Sequence, residues 1–255
     1  MGEIKTNVDK KSINYNSKEA SNITKLTKTV LETETANFQK ESKMVPKETL
    51  NLFFPEANPL EKPKFHENIK DVENPNNELV LVNKNNVLSS DYVPNDLVSI
   101  SSSYAYDGKQ VRENVKNAFE NLAKAATESG HRIVVVSAYR SYDYQEDLYN
   151  LNVAEKGKEY ADNYSARKGH SEHQTGLAID VEGSNRDYMK FQESEEFKWM
   201  KANAHKYGFI LRYPENKSDV TGFGFEAWHY RYVGTEAATE IYTKDITLEE
   251  YTQNY

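Results

Sequence analysis

Ser171-Glu-His-Gln-Thr-Gly-Leu-Ala-Ile-Asp180 is the stretch on which the reading of the whole chain turns. From Gly176 on, Leu177, Ile179 and Val181 alternate with Ala178, Asp180 and Glu182. That alternation predicts a strand over 176–181, its apolar face entering a core and its acidic face staying open. A glycine at 176 lets the chain turn sharply, so that His173 comes back over the acidic face. The small Ala178 leaves room there. His173 and Asp180 are therefore two candidate metal ligands.

Further along, Glu226-Ala-Trp-His-Tyr-Arg-Tyr232 sets a carboxylate three positions before a histidine, among aromatics large enough to exclude water. His229 would complete a set of two histidines and one aspartate, which leaves zinc a fourth position for water. Glu226, not needed as a ligand, is then available as general base. Residues three apart on a regular strand face opposite sides, so a bend or bulge near Ala227 is expected. On the N-terminal side lies Ser137-Ala-Tyr-Arg-Ser-Tyr-Asp-Tyr-Gln145. Its Arg140 falls between a buried strand and a helix, where a guanidinium can receive a carboxylate or an oxyanion in a forked geometry. Taken alone, it reads as a surface salt bridge.

The rest of the chain supports one globular domain behind a polar leader. Residues 1–50 are rich in Lys, Thr, Asn, Ser and Glu, and five of the seven prolines fall between Pro46 and Pro75. We read 1–75 as a flexible stalk, with at most a transient helix over 23–40, and 76–255 as the folded domain. Strands are expected at 78–82, 133–136, 209–213 and 227–233. Helices are expected at 108–129, 142–156 and 194–207, the last capped by Ser194 and stopped by Gly208. Thr247 and Glu250 are spaced as a capping box. Strands and helices follow no repeating unit, and no glycine-rich phosphate loop occurs, so the class is α+β. With 32 Lys plus Arg against 40 Asp plus Glu, the net charge of −8 argues against nucleic acid as a partner. No cysteine is present, which excludes disulfides, thiolate catalysis and cysteine-held zinc. No stretch reaches the roughly 18 apolar residues of a membrane helix, and no signal peptide is visible. Of the other histidines, His131 and His205 are expected to be structural or exposed and His170 to sit in a surface loop.

The three ordered motifs together resemble the zinc D-Ala-releasing carboxypeptidases of bacterial cell walls, the VanY-type D,D- and LdcB-type L,D-enzymes. The likeness runs from Leu79-Val-Leu-Val-Asn-Lys84 through the turn at Pro94 to about Tyr251, some two thirds of the chain. It implies an antiparallel sheet with packed helices, a fold shared with the hedgehog signalling domain. It also implies His173, Asp180 and His229 as zinc ligands, Glu226 as catalytic base and Arg140 as the receptor for a terminal carboxylate or oxyanion. Gln145, Ser171 and Tyr213 match positions that line the substrate site of the L,D-type. Lys168 and Ala227 stand where the family usually has proline, which loosens two loops without removing a ligand.

By this resemblance the chain is expected to hydrolyse the bond to the terminal D-alanine of peptidoglycan stem peptides. It leans to L,D cleavage of a tetrapeptide, with D,D cleavage of a pentapeptide as the alternative. An endopeptidase cutting between L-Ala and D-Glu would keep the same ligands. A non-enzymatic zinc-bearing module is disfavoured by the presence of Glu226 and Arg140 beside the full ligand set. A monomer acting at the cell surface is expected, tethered through the stalk.

Overall fold

The computed structural model describes residues 65–253. The stalk up to residue 64 and the helix considered over 23–40 lie outside the described residues. Phe65 to Pro75, read as linker, is instead tied to the domain. Strand β1 (Lys70–Asp71) pairs in parallel with β2 (Asn86–Val87), His66 N–H donates to Asn85 Oδ1 at 2.8 Å, and Tyr92 Oη donates to Pro75 O at 2.9 Å.

Residues 108–112, expected as the first turn of a helix, form a hairpin strand instead. Gly108 turns with φ +76°, and β4 (Gln110–Arg112) pairs antiparallel with β3 (Leu97–Ser99). Val111 is fully buried in this strand, so its apolar position fits the hairpin as well as a helical stripe. Helix α1 (Glu113–Glu128) carries the remaining stripe of Val115, Phe119, Leu122 and Ala126, all buried. Phe119 meets Phe209 edge-on, with ring centroids 6.2 Å apart. Each such side chain contributes roughly 1.5–3 kcal/mol when fully buried.

The central sheet is antiparallel, in the order β5 (Val134–Ser137), β6 (Ala178–Glu182), β8 (His229–Tyr232), β7 (Phe209–Leu211). Helix α2 (Tyr142–Lys156) starts on Ser141, whose Oγ accepts from Tyr144 N, and α3 (Lys158–Tyr164) follows it. Helix α4 (Glu195–Asn203) begins on Ser194 as expected and ends in a 3-10 turn (Ala204–Tyr207) closed by Gly208 at φ +85°. Short α5 (Ser218–Thr221), α6 (Thr235–Lys244) and α7 (Leu248–Thr252) complete the domain, and α7 carries the expected capping box of Thr247 and Glu250.

Two expectations about strands need correcting. Residues 78–82 pair with no strand, although Val80 and Val82 are buried. The carbonyls of Glu78 and Val80 instead accept from Arg231 Nη2, each at 2.8 Å, so a guanidinium takes the place of a ladder. The acidic face of β6 is open only where Asp180 borders a cleft: Asp180 and Glu182 are both buried, and Tyr106 Oη donates to Glu182 at 2.8 Å.

Candidate active site

Sheet register brings two of the candidate ligands together, because Asp180 on β6 lies directly opposite His229 on β8. His173 arrives from a 3-10 turn (Glu172–Thr175), where Ser171 Oγ accepts from His173 N at 3.3 Å. Gly176 ends that turn at φ +67°; a Cβ there would meet Arg112 Cγ and Leu97 Cδ2 at 3.0 Å, and glycine avoids both the strain and the crowding. The strand problem at Glu226 is solved without a bulge. Strand β8 begins only at His229, and Glu226–His229 is a turn in which His229 N donates to Glu226 O at 3.3 Å. Glu226 Oε2 thereby comes to 4.0 Å from His229 Nδ1.

Ligand-type atoms of His173, Asp180 and His229 all lie within 4.8 Å of one another, and all three residues are buried. His173 Nδ1 lies 2.7 Å from Ala138 O, which can only accept, so Nδ1 carries the proton and Nε2 keeps its lone pair. That Nε2 is buried with no hydrogen-bond partner, although Asp180 Oδ2 is 3.3 Å away. Burial, helped by the positive Arg140, lowers His173 to about 4, so it is neutral at physiological pH. His229 goes the other way. Burial opposes its protonation, but Asp180 at Nδ1 and Glu172 at Nε2 overcome it and raise His229 to about 9. Burial raises Glu226 to about 8. An orphaned imidazole nitrogen, a second imidazole drawn to carboxylates and an aspartate between them form a donor set that fits a divalent metal ion.

The trio opens into a cleft of about 610 Å³, a volume ordinary for a small-ligand site. Arg140 lines it, with Nη1 3.8 Å from Asp180 Oδ2 and 3.3 Å from Ser137 Oγ, and its Nε has no partner. Ser171 and Tyr213 line it as well, and the Tyr213 ring lies 4.9 Å from that of His229. Gln145 does not. It is buried behind the wall, where its Nε2 donates to Ala166 O at 2.7 Å, so it supports a lining residue rather than lining the cleft. His170 is buried rather than in a surface loop, with Nδ1 2.8 Å from Asn83 O. His205 stacks on Tyr242 at 3.8 Å and His131 lies beside Trp199, both away from the cleft. Lys168, in place of proline, pairs with Glu146 at the surface.

Sequence reasoning missed Glu172, Arg212 and Arg231, which are wholly buried and joined by ion pairs of 2.7 and 2.8 Å. The signal was present: each arginine sits among the apolar residues of a predicted strand, where an unpaired charge is too costly to bury. Tyr188, which meets Trp228 edge-on at 5.5 Å, was also missed as a cleft wall, whereas Trp228 is one of the aromatics expected beside the site.

Comparison with known proteins agrees with this geometry. Residues 108–235 match the family model VanY, D-alanyl-D-alanine carboxypeptidase. A D-alanyl-D-alanine carboxypeptidase of Enterococcus faecalis (strain ATCC 700802 / V583) is 36% identical over 182 residues, 68% of this chain and 65% of that protein. The chain thus spans just under two thirds of that relative's length. The solved LdcB LD-carboxypeptidase is 39% identical with a TM-score of 0.68, covering 73% of this chain and 91% of that one. The vancomycin-resistance D,D-pentapeptidase VanY, solved with Zn(II), is 34% identical with a TM-score of 0.60, covering 69% and 98%. The fold, the cleft and these likenesses agree, and the chain belongs to the VanY D-alanyl-D-alanine carboxypeptidase family.

Proposed function

We propose that the chain is a zinc carboxypeptidase that releases the terminal D-alanine of peptidoglycan stem peptides, acting outside the cytoplasmic membrane where that polymer lies. One observation carries the reading. A two-histidine, one-aspartate set shares a cleft with Arg140, whose Nε has no partner within the protein. His173, Asp180 and His229 would hold the ion. Zinc in such a site supplies Lewis acidity for a carbonyl and lowers the pKa of a water.

The chain's own groups do the rest. Arg140 takes the substrate's terminal carboxylate, which places the last peptide bond, and no bond further in, over the ligand set. Glu226 lines the cleft with its carboxylate 4.0 Å from His229 Nδ1, is not needed as a ligand and, unlike Glu172, is not clamped by arginines. In its ionised form it accepts the proton of the attacking water and hands it to the departing D-alanine amine, so that the C–N bond breaks to a carboxylic acid and a free amino acid. Trp228, Tyr188 and Tyr213 wall the cleft and keep bulk water from the charged groups.

Of the two specificities, cleavage of the tetrapeptide is the better supported. Ser171 and Tyr213 stand in the cleft, and the likeness to the LdcB LD-carboxypeptidase exceeds that to VanY in both identity and TM-score. Gln145 lends no direct support, since it lies behind the wall. The test offers zinc-loaded protein a tetrapeptide and a pentapeptide stem side by side and weighs the products. Rapid loss of D-alanine from the tetrapeptide is expected. Faster release from the pentapeptide, with tetrapeptide accumulating, would establish D,D cleavage instead, and scission between L-Ala and D-Glu would overturn the carboxypeptidase reading.

A further inference from the structure

The carboxylate of Glu172 lies between the ligand set and the far side of the sheet, and three groups converge on it. Arg212 Nε donates to Oε1 at 2.7 Å, Arg231 Nη1 donates to the same oxygen at 2.8 Å, and His229 Nε2 lies 3.5 Å from Oε2. Two guanidiniums in hydrogen-bond contact with one carboxylate oxygen, with no exposure to water, fix it as the ionised partner of both. Both arginines are themselves fixed. Arg212 grips Glu249 on α7 through Nη1 and Nη2 at 2.9 and 2.7 Å, and Arg231 holds the carbonyls of Glu78 and Val80.

An ionised carboxylate only accepts hydrogen bonds, so the imidazole nitrogen facing it must carry a hydrogen. That nitrogen is Nε2 of His229. The lone pair available to a cation is then on Nδ1, which points at Asp180 Oδ1 from 2.9 Å. His173 is arranged in the opposite sense, with Nδ1–H on Ala138 O and Nε2 free. The two rings meet edge-on, with centroids 4.9 Å apart, which is how one can offer its δ nitrogen and the other its ε nitrogen to a common point.

We propose that Glu172, clamped by Arg212 and Arg231, is a positioning residue for the metal centre: it takes the Nε2–H of His229 and so presents Nδ1 to the ion. The proposal rests on the zinc reading above, and the experiment separates the two. Zinc affinity is measured by competition with a chromophoric chelator in the wild-type protein and in Glu172→Gln, and long-range proton–nitrogen spectra of the zinc-loaded wild type identify the metal-bound nitrogen of each histidine. Glutamine cannot hold the same tautomer with a charge, so affinity should fall roughly 10–100-fold, as for other partners of ligating histidines. The spectra should show His229 metallated at Nδ1 and protonated at Nε2, and His173 the reverse. Zinc on His229 Nε2, or an affinity unchanged in folded Glu172→Gln, would overturn the proposal while leaving the zinc reading intact. If the variant does not fold, the wild-type spectra decide alone. A wild type that binds no zinc at His173 and His229 would refute the zinc reading and the proposal with it.

Discussion

Arg212 offers the sharpest test of how this domain is held together. Its side chain is fully buried and makes three charge-assisted hydrogen bonds, one to Glu172 and two to Glu249. In Arg212→Met, Glu172 keeps Arg231, but Glu249 keeps only the side-chain amide of Asn83, which donates at 3.2 Å. One buried carboxylate is thus left without a counter-charge. Breaking a buried pair in this way costs about 3–5 kcal/mol, because the orphaned ion stays desolvated. At roughly 2–4 °C per kcal/mol for a domain of this size, the melting temperature should drop by about 6–20 °C. Calorimetry of the wild type, of Arg212→Met and of the double variant Arg212→Met/Glu249→Gln measures this. The double variant, which removes the stranded charge, should recover part of the loss. A single variant within about 1 kcal/mol of wild type would mean that the network is solvated or dispensable, and the account of a dry ion cluster behind the ligands would be wrong.

Glu226→Gln should retain zinc in a metal analysis yet lose about 10²–10⁴-fold in turnover, since the residue moves a proton and is not a ligand; a near-normal rate would assign the base elsewhere. Chelators should abolish activity, while thiol reagents should leave a chain without cysteine untouched. Deleting residues 1–60 should leave the melting temperature unchanged. Deleting 1–75 should lower it, because this also removes the β1 pairing and the Phe65 ring that faces Lys84. Acid should destabilise the fold through two histidines away from the cleft: burial lowers His66 to about 4 and pushes His170 below its ordinary value. The unfolded chain binds protons at both near pH 6.5, which the folded protein refuses, so stability should fall as pH drops from about 6.5 toward 4. His66→Asn should flatten that part of the denaturation profile.

What could be read from the sequence was local. Ser194, Gly208, Thr247 and Glu250 announce helix ends through bonds made within a few residues, and all four occupy the expected places. The alternation after Gly176 fixes which side of β6 faces the core, and so puts Asp180 toward His229. Apolar pattern alone could not separate strand from helix at Val111, nor an extended segment from a paired strand at Val80 and Val82. In both cases the deciding partner lies outside the segment itself: Leu97–Ser99 across a hairpin for the first, and the distant Arg231 for the second. Gln145 is a related case. It stands on α2, and what takes up its amide is the carbonyl of Ala166, a contact that sequence alone does not show.

The same distinction explains why a motif of three ligands is not yet a metal site. Asp180, Glu226, Glu172 and Glu249 are four buried carboxylates within one connected set of contacts, and Arg140, Arg212 and Arg231 are the guanidiniums that face them. With Glu226 ionised, as its role as base requires, the carboxylates outnumber the guanidiniums by one. In the protein alone that excess is met by protons: burial raises Glu226 to about 8, so it keeps one at neutral pH, and His229, raised to about 9, holds another between Asp180 and Glu172. A divalent cation placed against Nδ1 answers the same excess from the same side, so proton and metal compete for one position. The arginines therefore do more than hold the sheet: by neutralising Glu172 and Glu249, they reduce the buried negative charge to an amount that one small cation can satisfy. Without them the ligand set would sit in a field of unpaired carboxylates, some of which would protonate rather than stay ionised. Arg212 and Arg231 thus belong to the chemistry of the site as much as to its scaffold, although neither borders the cleft.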